Sequence, residues 1–152
     1  MKLLSVNIGL PREMIWHDKV ITTGENFTVT GFTEHMVSIG DHFRIGDAEV
    51  MVTEPRMPCY KLGIRFGRPD MVKRFAASGR TGFYLAVIRE GKVAAGDSIV
   101  RSHQGEQGIT VADVTRLHLF EKDDRKTLKR ALQVKALPKS WRLRFERQLD
   151  AL

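Results

Sequence analysis

The stretch GFYLAVIREGKVAAGDSIVRS, residues 82–102, reads as two extended runs about a turn. Phe83, Leu85 and Val87 alternate with Tyr84, Ala86 and Ile88, the period of two that sends successive side chains to opposite faces of a strand. Glu90-Gly91 supplies a turn, and Val93 to Val100 reads as the returning strand of a hairpin, past Gly96-Asp97. Upstream, HMVSIGDHFRIGDAEVMVTEP (35–55) gives two or three further short strands, punctuated by Gly40-Asp41 and Gly46-Asp47. A glycine that tolerates positive φ, beside a side chain that bonds the backbone, suits tight connections. LLSVNIG (3–9) opens like a strand, and Asp70 is placed to cap a short helix, MVKRFAAS, ended by Gly79. Many short strands with frequent glycine turns predict a mainly β protein, a barrel or sandwich rather than a doubly wound sheet.

The period changes after RSHQGEQG (101–108), which reads as a linker. Thr110 with Asp113 resembles a capping box with Asp in place of Glu. Val111, Val114 and Leu117 follow helical spacing, Leu128 and Leu132 mark a second helix, and Trp141, Phe145 and Leu149 share one face of a third after Pro138. The expected division is a β domain over residues 1–103 and a small three-helix domain over 104–152.

With 152 residues and 42% hydrophobic content, the chain can build a real core. It has no run of eighteen apolar residues, its start lacks the pattern of a signal peptide, and one cysteine offers no disulfide framework. These features predict a soluble cytoplasmic protein with no membrane partner. The formal net charge is +7, and from Thr110 onward eleven Lys/Arg face six Asp/Glu. On this count the basic excess belongs to the tail, with little left for the region around the cysteine. Nucleic acid is not an expected partner, since basic exposed helices are common without that role.

The lone Cys59 lies in EPRMPCYKLGIRFG (54–67). Pro55 and Pro58 stiffen the backbone, and the strand-like AEVMVTE before it puts the thiol at a sheet's rim, on a non-helical segment. Arg56 and Lys61 are close in sequence, and cationic neighbours favour the thiolate. A buried, inert filler is the ordinary use of a free cysteine. A zinc site would need several Cys/His at short spacings, and the five histidines show none with Cys59. A cysteine protease lacks a local signature. What stays open is a metal whose other ligands come from an organic cofactor, to which the protein adds one soft thiolate.

GENFTVTGFTEHMVSIGDHFRIGDAEVMVTEPRMPCYKLGIRFG, followed by SGRTGFYLAVIREGKVAAGDSIV, closely resembles the MOSC domain, named for the C-terminal domain of molybdenum cofactor sulfurase. The tail resembles the three-helix extension of the YiiM-type branch. The resemblance implies a β-barrel, molybdenum cofactor (molybdopterin) binding, and reduction of N-hydroxylated purines and related compounds with electrons from a separate reductase. It implies Cys59 as the metal ligand and catalytic residue, Arg56, Lys61 and Arg80 as contacts to the pterin phosphate, Asn26 as an amide partner of the pterin, and Tyr84 as a wall or donor. Each has an ordinary alternative: a pair with Glu54 for Arg56, a turn for Asn26, core packing for Tyr84. The family also carries several dozen residues, including His-Gly-Gly, where VITTG here runs straight into ENFTVTG between Gly24 and Glu25. Two other functions stay in view: a sulfur carrier with a persulfide on Cys59, and a non-catalytic binding module using the basic tail. The apolar faces of the tail could also form a homodimer.

Overall fold

The computed structural model describes residues 26–152 throughout, and before them the backbone of three short strands. These are β1 (Leu3–Ile8), β2 (Ile15–Trp16) and β3 (Lys19–Val20). The Gly24–Glu25 junction, where the resemblance implies an extra segment, lies outside the described residues.

A six-stranded sheet has the order β4-β1-β7-β6-β5-β8, with β4 at Phe27–Val29, β5 at His42–Ile45, β6 at Ala48–Pro55, β7 at Phe83–Arg89 and β8 at Ile99–His103. Every neighbouring pair is antiparallel except β1 and β4, which run parallel. The expected barrel is not closed among the described residues: β4 and β8 stand at the two edges of an open sheet. With five helices beside the strands, the architecture is mixed α/β rather than mainly β.

The expected pairing of residues 83–100 with themselves is also corrected. β7 and β8 do not pair; β7 lies between β1 and β6, and β8 joins the far side of β5. The connecting loop is held instead at the β5–β6 turn, where Asp47 N donates to Lys92 O at 3.0 Å. Gly91 passes so close that an added Cβ would lie 2.3 Å from the Asp47 carbonyl carbon. That contact carries the chain across two strands, something alternation within β7 does not encode. Gly91→Ala is therefore expected to lower stability by about 1–3 kcal/mol, read as a lower denaturation midpoint at unchanged m-value.

Two short helices lie between β6 and β7, α1 (Tyr60–Phe66) and α2 (Met71–Ala77), and they form a separate unit. Leu62, Met71 and Phe75, with Phe66 beside them, make their own small core. Asp70 precedes α2 as expected but makes no capping bond. Its carboxylate accepts from Arg68 and Arg74 instead, at 2.9 and 2.7 Å, and those two guanidinium groups hold its pKa down at about 2.

The β5–β6 hairpin forms as read, turning at Gly46, whose φ is +55°. Phe43, Ile45, Val50 and Val52 are buried from it, in keeping with the alternating pattern. Opposite them pack three helices: α3 (Val111–Leu119), α4 (Arg125–Leu132) and α5 (Lys139–Asp150). One continuous core runs from Val37 and Phe43 through Val114 and Leu128 to the fully buried Phe145. Burial of a side chain such as Phe145 contributes about 1.5–3 kcal/mol. The Thr110–Asp113 capping box is present in both directions, so α3 starts where predicted.

Candidate functional site

Cys59 sits where β6 has ended and α1 is about to begin. Its backbone is extended (φ −131°, ψ 166°) and helix starts at Tyr60, so the expected rim position holds while the non-helical stretch ends one residue later. A helix of seven residues, with glycine at its centre, is too short to announce itself by periodicity. The thiol is exposed, which sets aside the buried-filler reading.

Just before the site, β6 and β7 slip register between Val52 and Glu54. Thr53 drops out of the ladder and its hydroxyl donates to Tyr84 O at 3.1 Å. Bulges of this kind bend a strand and re-aim the residues beyond them. The strand then passes Pro55 to Arg56, whose N–H donates to Gly82 O at 3.0 Å. This bond closes the neck of the α1–α2 unit and sets residues 80–82 beside residue 56. Cys59 and Lys61 follow Arg56 by three and five residues, and the exposed Arg80 stands two residues before Gly82. Tyr84 is half-buried, level in the ladder with Glu54. Asn26 lines a cavity of about 510 Å³ with Ile45, Val87, Gly91 and Val93, and the residues lining it include neither Cys59 nor its cationic neighbours.

Two carboxylates support this region: Glu34, which the sequence did not single out, and Glu54, expected only as a partner for Arg56. Glu34, 2% exposed, accepts from Gly82 N at 2.9 Å and so fixes the far side of the neck. Glu54 accepts from the indole N–H of Trp141 at 2.5 Å, which ties α5 to the strand leading to Cys59. A lone glutamate leaves no pattern in a sequence, whereas Trp141 at least announced itself as a buried helix face. The charge count by halves misled in another way. Between Arg56 and Arg80 seven Lys/Arg face one Asp, so the strongest basic excess surrounds the cysteine and not only the tail.

Trp141 also stacks edge-on against His118, centroids 5.3 Å apart. Arg144 lies 3.4 Å from His118 Nε2. Because a guanidinium only donates, Nε2 accepts and the ring proton belongs on Nδ1. Burial first, then the charges of Arg144 and Lys122, push the His118 pKa below its ordinary value of 6.5. The folded state thus prefers the neutral ring, and binds fewer protons than the unfolded chain. Stability from this site is complete above pH 6.5 and falls as pH drops through the lowered value. Denaturation midpoints for the wild type and His118→Gln should converge toward neutral pH and separate in acid, the wild type losing more.

As a donor set, this part of the chain offers one soft, exposed sulfur with Arg56 and Lys61 close to it in sequence. Among the described residues Cys59 belongs to no cluster of three His, Cys, Asp or Glu side chains able to hold a metal ion. This chemistry fits a group that brings most of its own ligands and carries a phosphate. Also among the described residues, no helix is long and apolar enough to cross a membrane.

A family model described as the MOSC domain matches residues 4–100, and one described as the YiiM-like 3-alpha helix domain matches residues 109–151. YflK of Bacillus subtilis (strain 168) is 41% identical over 129 residues, 85% of this chain and 58% of YflK. A protein named Reductase from Gibberella moniliformis (strain M3125 / FGSC 7600) is 40% identical over 77 residues, 50% of this chain and 14% of that one. The crystal structure of YiiM from Geobacillus stearothermophilus superposes with a TM-score of 0.85 at 30% identity, covering 96% of this chain and 77% of that one. The chain thus spans little more than half of YflK and a small part of the fungal protein.

Proposed function

Since this chain belongs to the MOSC-domain family and carries its YiiM-like three-helix extension, we propose that it is an oxidoreductase that binds molybdenum cofactor at Cys59 and reduces N-hydroxylated compounds. The observation that carries this reading is an exposed thiol at the end of β6, with Arg56 and Lys61 close to it in sequence, in a family whose name derives from the cofactor's chemistry. The Reductase name of the fungal relative supports a redox role. When bound, the cofactor would supply two-electron exchange at its metal, while the reaction R–NHOH + 2 e⁻ + 2 H⁺ → R–NH₂ + H₂O takes electrons from a separate reductase and its protons from solvent. Cys59 would add one thiolate to the metal, and Arg56, Lys61 and Arg80 would clamp the phosphate. Tyr84 would stand as a wall behind them. Asn26, which lines a different cavity, has the weakest claim to the pterin.

The test is elemental analysis for molybdenum, with pterin released by oxidation, on wild type and Cys59→Ser made in a host that synthesises the cofactor. Near-stoichiometric metal and pterin are expected in the wild type, with metal lost more readily from the variant. A folded wild-type protein devoid of both would sink the reading. A second reading rests on the exposure of the same thiol: a sulfur carrier with a persulfide on Cys59, which needs an accessible sulfur and no pterin. Sulfane sulfur on the wild type, absent from Cys59→Ser and found without pterin, would favour it.

A further inference from the structure

We propose that the exposed face of α1 is the docking surface for an acidic redox protein, the electron supply that the proposed function requires. This inference rests on that reading for the partner's role, and on the α1–α2 unit for its location. Tyr60 and Ile64 lie one helical turn apart and are 70% and 74% exposed. No other large hydrophobic side chain among the described residues is as exposed as either. Tyr60 follows Cys59 directly and Ile64 lies one turn further along the same helix, so a partner seated on them comes close to the thiol.

Both belong to the stretch 56–80, which carries seven Lys/Arg to one Asp, and on the same helix Lys61 and Arg65 are exposed as well. That one Asp is already engaged by Arg68 and Arg74. An apolar centre with an aromatic anchor inside a charged rim is the anatomy of a protein interface. Electron-transfer encounters are small and transient, and a patch of this size suits them. Opposite charge on the partner would raise the rate of encounter and make it sensitive to salt. A nucleic-acid site would place its cations along a phosphate track with no isoleucine at the centre. A membrane-lying helix would need a longer apolar stripe than one seven-residue helix provides. An acidic protein surface is the occupant these features favour.

The probe is flavodoxin, an acidic flavoprotein electron carrier, titrated into the ¹⁵N-labelled chain at about 20 and about 200 mM salt. Shifted amide signals are expected to cluster on residues 60–68 and 73. Affinity should fall by about tenfold or more at the higher salt. Ile64→Asp and Lys73→Glu, both surface changes, should each weaken binding about tenfold while leaving the melting temperature within a few degrees. No saturable binding at low salt, or shifts centred on α3–α5, would overturn the proposal. So would tighter binding of a duplex DNA or of phosphatidylserine vesicles under the same conditions. Loss of bound pterin from Ile64→Asp would likewise overturn it, since the side chain would then serve the cofactor. Flavodoxin binding that depends on Ile64 in a protein devoid of molybdenum and pterin would leave the docking surface standing and remove the proposed function alone.

Discussion

Asp41→Ala is expected to cost about 2–5 kcal/mol, the range for leaving two buried hydrogen-bond donors without their acceptor. The Asp41 side chain is fully buried, and three donors converge on it. Gly105 N donates to Oδ1 at 2.8 Å, Ser38 N donates to Oδ2 at 3.0 Å, and Arg101 Nε lies 3.3 Å from Oδ2. Truncation leaves two interior N–H groups without their acceptor and takes the carboxylate away from Arg101, which is partly exposed and keeps its bond to the Met36 carbonyl. The backbone cannot close the gap, because Gly105 already runs so close to Ile39 that a Cβ there would lie 2.4 Å from its carbonyl oxygen. Asp41→Asn should recover little: one of its two terminal groups is a donor and would meet a donor. Urea denaturation of the three proteins measures this directly. Wild-type stability in Asp41→Ala would show that the convergence is incidental.

Glu34→Ala should cost about 2–4 kcal/mol, from a cavity in place of a buried side chain and the loss of the acceptor for Gly82 N–H. Its effect on the site should exceed its effect on the rest of the fold. Gly82 gives its N–H to Glu34 and its carbonyl to Arg56 N–H, so one peptide on each side of this glycine fixes the neck of the α1–α2 unit. With φ of +73°, the position itself favours glycine. Glu34→Gln keeps an acceptor oxygen at the same place, so it should regain most of the stability, leaving a deficit of about 1 kcal/mol. Amide exchange should then separate the two levels. In Glu34→Ala, protection at Arg56 and Gly82 should drop by more than protection at Val50 and Val52. Equal losses at all four would mean Glu34 supports the core and not the neck.

Local patterns carried much of this structure. The β5–β6 hairpin and α3–α5 were legible because alternation, a capping box and a repeating apolar face are properties of neighbouring residues. The partner of β8 was not, because strand pairing depends on which loops can cross which turns, and the contact of Gly91 with Asp47 spans 44 positions in sequence. Openness of the sheet was missed for the same reason. The cysteine's position at the end of a strand could be read, as could its cationic neighbours. Its support could not: Glu34 and Trp141 approach from segments 25 and 82 positions away from it, and neither distance leaves a local trace.

Among the described residues the α1–α2 unit has a core of four side chains that it does not share with the sheet, and the Arg56–Gly82 bond closes its neck. Such a unit is a cassette. Sequence drift within it, including a change in which residues face outward around the thiol, need not be matched by compensating changes among Val50, Leu128 or Phe145. A chain built this way is free to change the surroundings of Cys59 while the scaffold stays under its own, separate constraint.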